Sequence, residues 1–154
     1  MDRFMLSTAV AIVGLAAIFL FNFGLPTGKV IAETNATVCF EENCLMCEIA
    51  DEANEQAIGL MYKDSLPENE CMLFVFQNEG YHDFWMRNVK FPLDIIWISS
   101  GMEVVQTEHA GTCFDMPCST HGSTTPAIYV VETNFGFTEK NNITVANKVS
   151  ITFG

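Results

Sequence analysis

From Phe4 to Gly28 the chain carries no charged residue, and Phe4-Met5-Leu6 through Phe21-Asn22-Phe23 is almost wholly apolar. Such a stretch cannot belong to a water-soluble domain of ordinary composition. A helix of ~20 residues rising ~1.5 Å per residue spans the ~30 Å hydrocarbon core of a bilayer. Because nothing in lipid satisfies free backbone groups, a helix is the expected state there. Two fates follow. The stretch is longer than the ~7–15-residue apolar region of a signal peptide, which favours a retained single-pass anchor in the cell membrane. Val30-Ile31-Ala32 also offers small or modest residues to a signal peptidase, and cleavage after Ala32 would release a secreted domain. Both fates put the remainder on the extracytoplasmic side. Flanking charge adds little, since Asp2 offsets Arg3 and Lys29 lies on the far side. The expected division is residues 1–32 as anchor or signal sequence with its linker, and 33–154 as one domain.

Six cysteines, Cys39, Cys44, Cys47, Cys71, Cys113 and Cys118, all follow the apolar segment. An even number in a small exported domain points to disulfides formed in an oxidising compartment. Cys113 and Cys118 share one loop and are the pair best placed to bridge; the pairing of the other four stays open. Cys44-x-x-Cys47 invites a thiol-redox reading. That chemistry wants a thiolate at a helix N-terminus, whereas this pair sits in an expected strand, with its two members facing opposite ways. Asn35 and Asn142 head Asn-x-Thr sequons, candidate glycosylation sites. The net charge is −12, and the few cations are scattered. A nucleic-acid partner needs a clustered basic surface, so that class is excluded.

The exported part reads as mostly β. Thr37–Phe40 and Cys44–Ile49 form an expected hairpin across Glu41-Glu42-Asn43. Asp51 is placed to cap a helix carrying Ala53, Ala57, Leu60 and Met61 on one face, with Gly59 weakening its last turn. Met72–Phe76 is apolar, and Asn78-Glu79-Gly80 is an expected turn. His82, Phe84 and Met86 alternate with Asp83, Trp85 and Arg87 as in a strand. Leu93–Ser99, Met102–Gln106, Ala127–Glu132 and Ile143–Phe153 supply further strands, Asn134–Asn141 a loop or short helix, and Glu108–Thr125 a long loop. Seven or eight short strands with one real helix predict a small closed or partly open β-barrel or sandwich with one or two short helices, preceded by a transmembrane helix.

Trp85-Met86-Arg87-Asn88, followed by Asp94, is the best candidate binding site. Arg87 can grip a carboxylate or phosphate, Asn88 can donate and accept, and Trp85 offers a stacking face, with Met61 expected nearby. The competing structural reading pairs Arg87 with Asp94 and buries Trp85. His109, Cys113, Cys118 and His121 supply four nitrogen or sulfur donors for zinc, but at a spacing of no common module and with cysteines that an oxidising compartment would bridge. Met46, Met61, Met72, Met86, Met102 and Met116, with His82, are soft donors for copper; core filling is the plainer role for most of them. No Gly-x-Ser-x-Gly elbow or phosphate loop is present, so no enzyme can be assembled from the sequence and no cofactor is predicted.

Five motifs occur in order: Gly59-Leu60-Met61-Tyr62, Ser65-Leu66-Pro67, Met72-Leu73-Phe74-Val75-Phe76, Phe84-Trp85-Met86-Arg87-Asn88 and Pro92-Leu93-Asp94-Ile95-Ile96. Together they resemble the domain of unknown function 192 family, small and often exported bacterial and archaeal proteins. The resemblance runs from about Cys47 to Lys148. It implies a compact barrel-like β fold and a paired-cysteine loop matching Cys113 to Cys118. It does not call for His109 or His121. It also marks Cys39, Cys44, Cys47 and Cys71 as this chain's own additions, suggesting extra bridges near the hairpin. It implies no activity. The expected function is a membrane-tethered domain binding a small ligand or a partner. An accessory subunit of a membrane complex and a soft-metal carrier are the alternatives.

Overall fold

The computed structural model describes residues 35–154, and the apolar N-terminal segment lies outside them. Among the described residues no helix is long and apolar enough to cross a membrane. Nine strands and two short helices follow in chain order: β1 Asn35–Phe40, β2 Asn43–Ala50, α1 Ala53–Ile58, β3 Glu70–Gly80, β4 Asp83–Trp85, β5 Leu93–Ile98, β6 Val104–Ala110, β7 Thr120–Gly122, β8 Ala127–Asn134, α2 Phe137–Lys140 and β9 Val149–Phe153. Seven strands form one sheet in the order β6-β5-β8-β3-β2-β1-β9, and β4 pairs with β7 in a small separate ribbon. Every pairing in the large sheet is antiparallel except β2 with β3, which α1 connects.

The expected mostly-β fold with two short helices is present, but the sheet is open. Its edge strands β6 and β9 are not paired along their lengths. Their flanks meet at an isolated Glu103–Lys148 bridge, where Val104 N–H donates to Asn147 O, Ala146 N–H to Val104 O and Val149 N–H to Met102 O, and where the Lys148 ammonium pairs with Glu103. The sheet nonetheless curls, because all seven strands send side chains into one cluster, among them Val38, Leu45, Leu73, Val131, Ile96, Val104 and Val149. A second cluster fills the opposite face of the central strands, with Phe74, Val130, Ile95 and Trp97 lying under Leu60, Leu66, Met86 and Val89. Strand β5 is therefore buried on both faces, which explains its nearly continuous apolar sequence.

Local differences from the sequence reading have simple causes. Helix α1 starts from Glu52 rather than Asp51, because the Glu55 carboxylate accepts from the backbone N–H groups of both residues. It ends at Gly59, whose φ of 50° breaks the helical path, so Leu60 and Met61 lie beyond it. The expected turn at Asn78-Glu79-Gly80 instead continues β3, and part of the expected long loop forms the end of β6 and all of β7. The closing element is a single strand, Val149–Phe153.

All six cysteines are bridged: Cys39–Cys44, Cys47–Cys71 and Cys113–Cys118. The first two join directly opposed residues, Cys39 with Cys44 across β1–β2 and Cys47 with Cys71 across β2–β3. Cys44 and Cys47 thus belong to different bridges, and the CxxC redox reading has no structural basis.

Candidate functional site

The candidate residues separate into two groups. Asp94 stands apart from the others. It is fully buried on the face of β5 shared with Ile96 and Ile98, and its carboxylate accepts from Gly136 N (3.2 Å), Thr138 N (2.8 Å) and Thr138 Oγ1 (2.7 Å), with His109 Nδ1 at 2.6 Å. Asp94 therefore fastens α2 and the end of β6. The Arg87–Asp94 pair of the competing structural reading does not form.

The other four converge on the opposite face. Strand β4 presents Trp85, which is 40 % exposed, and the Arg87 guanidinium lies over its ring at 5.3 Å from the centroid. Trp85 is not buried in the core, as the structural reading of this segment would have it. Asn88 adopts φ 57°, a left-handed conformation that asparagine tolerates. From there its amide donates to Tyr62 Oη at 3.0 Å and reaches the Met61 sulfur at 4.0 Å, while its carbonyl accepts from Tyr62 N. The segment after α1 is in this way tied to the segment after β4. Among the described cations, Lys63, Lys90, Lys140 and Lys148 each pair with a carboxylate; Arg87 alone does not.

Beneath this junction lies a residue that the sequence reading did not single out. Glu132, on β8, pairs in register with Met72 and Ile95 and points into the second apolar cluster. It is 4 % exposed, and its Oε2 has no hydrogen-bond partner. Burial without compensating charge pushes its carboxyl up to about 8, so it holds its proton at neutral pH. The carboxyl borders a cavity of about 20 Å³ lined by Gln56, Gly59, Met61, Phe74, Trp85 and Val89, enough for one water or one hydroxyl-sized group. A Cβ at Gly59 would lie 3.3 Å from Phe74 Cζ and 3.7 Å from Glu132 Oε2, so the missing side chain leaves room over the acid. The only sequence signal was a single acidic residue on the inward side of an apolar strand.

A wider cleft of about 410 Å³ adjoins this cavity and shares Gln56, Ala57, Phe74, Phe84 and Trp85 with it. Phe76, Tyr81, His82 and Asp83 complete its lining. His82 stacks flat on Phe76 with centroids 3.5 Å apart, and its Nε2 is also buried without a partner. Gln56 fixes one wall by donating to Val75 O at 2.8 Å.

The four zinc candidates are not assembled. Cys113 and Cys118 are consumed by their bridge, His109 turns to Asp94, and His121 Nδ1 lies 2.7 Å from Glu108 Oε1. Among the described residues no group of three His, Cys, Asp or Glu side chains could hold a metal ion. Nor do the methionines gather as copper donors: Met72 and Met86 are core residues, whereas Met46 and Met116 are exposed. Both sequon asparagines, Asn35 and Asn142, sit at exposed positions.

Residues 36–151 match the domain of unknown function 192 family, described as uncharacterised ACR, and the chain belongs to that family. A crystal structure of a protein of unknown function from Novosphingobium aromaticivorans is similar at 29 % identity and TM-score 0.66, covering 75 % of this chain and 83 % of that one. Another, described as a putative transcription regulator from Sinorhizobium meliloti, shares the fold at 22 % identity and TM-score 0.67, covering 75 % and 91 %. No curated protein matches the chain.

Proposed function

We propose that the chain is a membrane-tethered extracytoplasmic module that binds a small ligand in the cleft between α1 and β4, which adjoins the cavity bordered by Glu132. One observation carries the reading. A carboxyl buried without a partner costs several kcal/mol, and an apolar residue would fill the same place without that cost. Perturbed, unsatisfied acids beside a cleft are characteristic of functional sites. The half-exposed Trp85 ring and the gap over Gly59 supply a contact surface and access. Three disulfides support an oxidising location, and the charge-free N-terminal stretch supports the tether.

The test is amide and side-chain NMR of the full-length protein in a non-ionic detergent, titrated with a library of small metabolites. Binders are expected to shift the signals of Gln56, Met61, Trp85 and Glu132 together, and Glu132→Gln should weaken them. Binders that cluster instead at the Cys113–Cys118 loop or around Phe135 and Lys140, leaving the cleft silent, would remove this reading.

A further inference from the structure

The cleft's lining also says what kind of ligand it suits. Five of its nine lining residues, Phe74, Phe76, Tyr81, Phe84 and Trp85, are aromatic, and no lysine or arginine is among them. Its one carboxylic acid is Asp83, and Glu132 borders the adjoining cavity. Aromatic faces carry negative potential and attract cations, tryptophan most strongly. Trp85 already does so within the molecule, since the Arg87 guanidinium rests over it while lining neither the cavity nor the cleft. The chain's charge of −12 draws cations to this surface and repels anions.

Hydrogen bonding narrows the choice further. A primary ammonium needs acceptors for three N–H groups. This lining offers mainly rings, and its one carboxylate acceptor is Asp83. A methylated ammonium needs no acceptor and presents its charge through methyl groups that pack on ring faces. Polyhydroxylated ligands fit less well, because they require a dense set of neutral polar side chains that the cleft lacks.

Building on the proposed cleft, we infer that its ligand class is a small organic cation bearing a methylated or quaternary ammonium, held by the aromatic lining around Trp85, with the Asp83 carboxyl on the cleft and the Glu132 carboxyl in the adjoining cavity. The arrangement has a consequence for protons. A cation seated in the cleft, next to the cavity that Glu132 borders, favours the carboxylate, so the carboxyl O–H breaks, its electron pair stays on the oxygen, and the proton passes to solvent. The other groups that titrate around the site are Tyr81, His82 and Asp83 on the wider cleft; apart from Glu132, no lining residue of the small cavity titrates.

Calorimetry of the full-length protein with choline, and with its uncharged isostere 3,3-dimethylbutan-1-ol, tests the assignment. Choline is expected to bind at least tenfold more tightly than the isostere. Affinity should fall in the order wild type, Trp85→Phe, Trp85→Leu, a partly exposed position at which the core is left intact. At pH 7, titrations in buffers of different ionisation enthalpy should reveal release of close to one proton per choline in the wild type and none in Glu132→Gln. Equal affinity for the two probes, or choline binding indifferent to Trp85, would overturn the cation assignment. Choline binding without proton release would remove Glu132 from it. If choline fails while uncharged molecules shift the NMR signals of Gln56, Met61 and Trp85, the cation is wrong and the cleft stands.

Discussion

Changing Glu132 to glutamine keeps the side chain's shape and removes its ionisation. In the folded protein the carboxyl titrates at about 8, against 4.5 for the ordinary group. Between those values the unfolded chain has released a proton that the folded chain retains. Stability must therefore fall as pH rises through that window, by about 1.4 kcal/mol per unit. The full benefit is present below the unfolded value, and no further loss from this group occurs above the folded one. From pH 5 to pH 8 the wild type should lose about 3.5 kcal/mol that Glu132→Gln does not. The glutamine amide brings its own unsatisfied atoms, at about 1–3 kcal/mol. The informative quantity is consequently the slope of the difference with pH rather than its size at any one pH. Urea unfolding at pH 5, 6, 7 and 8, followed through the fully buried Trp97, measures it. Profiles that stay parallel to within about 1 kcal/mol would show that Glu132 ionises normally, and the argument from its burial would collapse.

Three further outcomes are expected. Asp94→Ala strips four partners from a buried carboxylate site and should cost on the order of 3 kcal/mol in denaturant unfolding, with the cleft's NMR signals unmoved, since the two sites lie on opposite faces. Replacing Cys47 and Cys71 by alanine frees a 24-residue separation and should destabilise by about 3.5 kcal/mol, against about 2 kcal/mol for Cys113 and Cys118, five residues apart; equal losses in chemical denaturation would contradict the loop-entropy account. Gly59→Ala should cost about 1 kcal/mol or more, because alanine resists φ 50° and its methyl meets Phe74, and it should also shift the cleft's NMR signals; an unchanged midpoint would refute this.

The strands were legible where burial imposes a period. Strands β1 and β2 alternate buried and exposed residues, and the Asn-containing turn between them was readable. The buried run Leu93–Ile98 was equally plain, but the role of Asp94 within it was not. A polar residue in an apolar strand signals a partner without naming it, and the partner here is a helix turn forty residues away in sequence. The sequence left a closed and a partly open sheet as alternatives, because whether β6 meets β9 depends on curl accumulated over seven strands. The candidate site was legible only in part: Met61 and Trp85 were read from a cluster of polar and aromatic groups, whereas Arg87 and Asn88, read with them, line neither the cavity nor the cleft. Glu132 was passed over, since at a strand's end an acidic residue ordinarily faces solvent, and only tertiary packing shows that this one does not.

The two bridges beside the N-terminal strand also set how the domain bears load. A pull through the chain ahead of Asn35 reaches β1, whose strand pairing would otherwise be peeled away residue by residue. Only Asn35 to Val38 precede the first covalent crosslink at Cys39. From Cys44 the tension runs along β2 to Cys47 and crosses to Cys71 in β3, a strand in the middle of the sheet. Force is thus delivered through sulfur to the sheet's interior, and the segment leading in can be tugged hard while the far side, where β8 carries Glu132, stays folded.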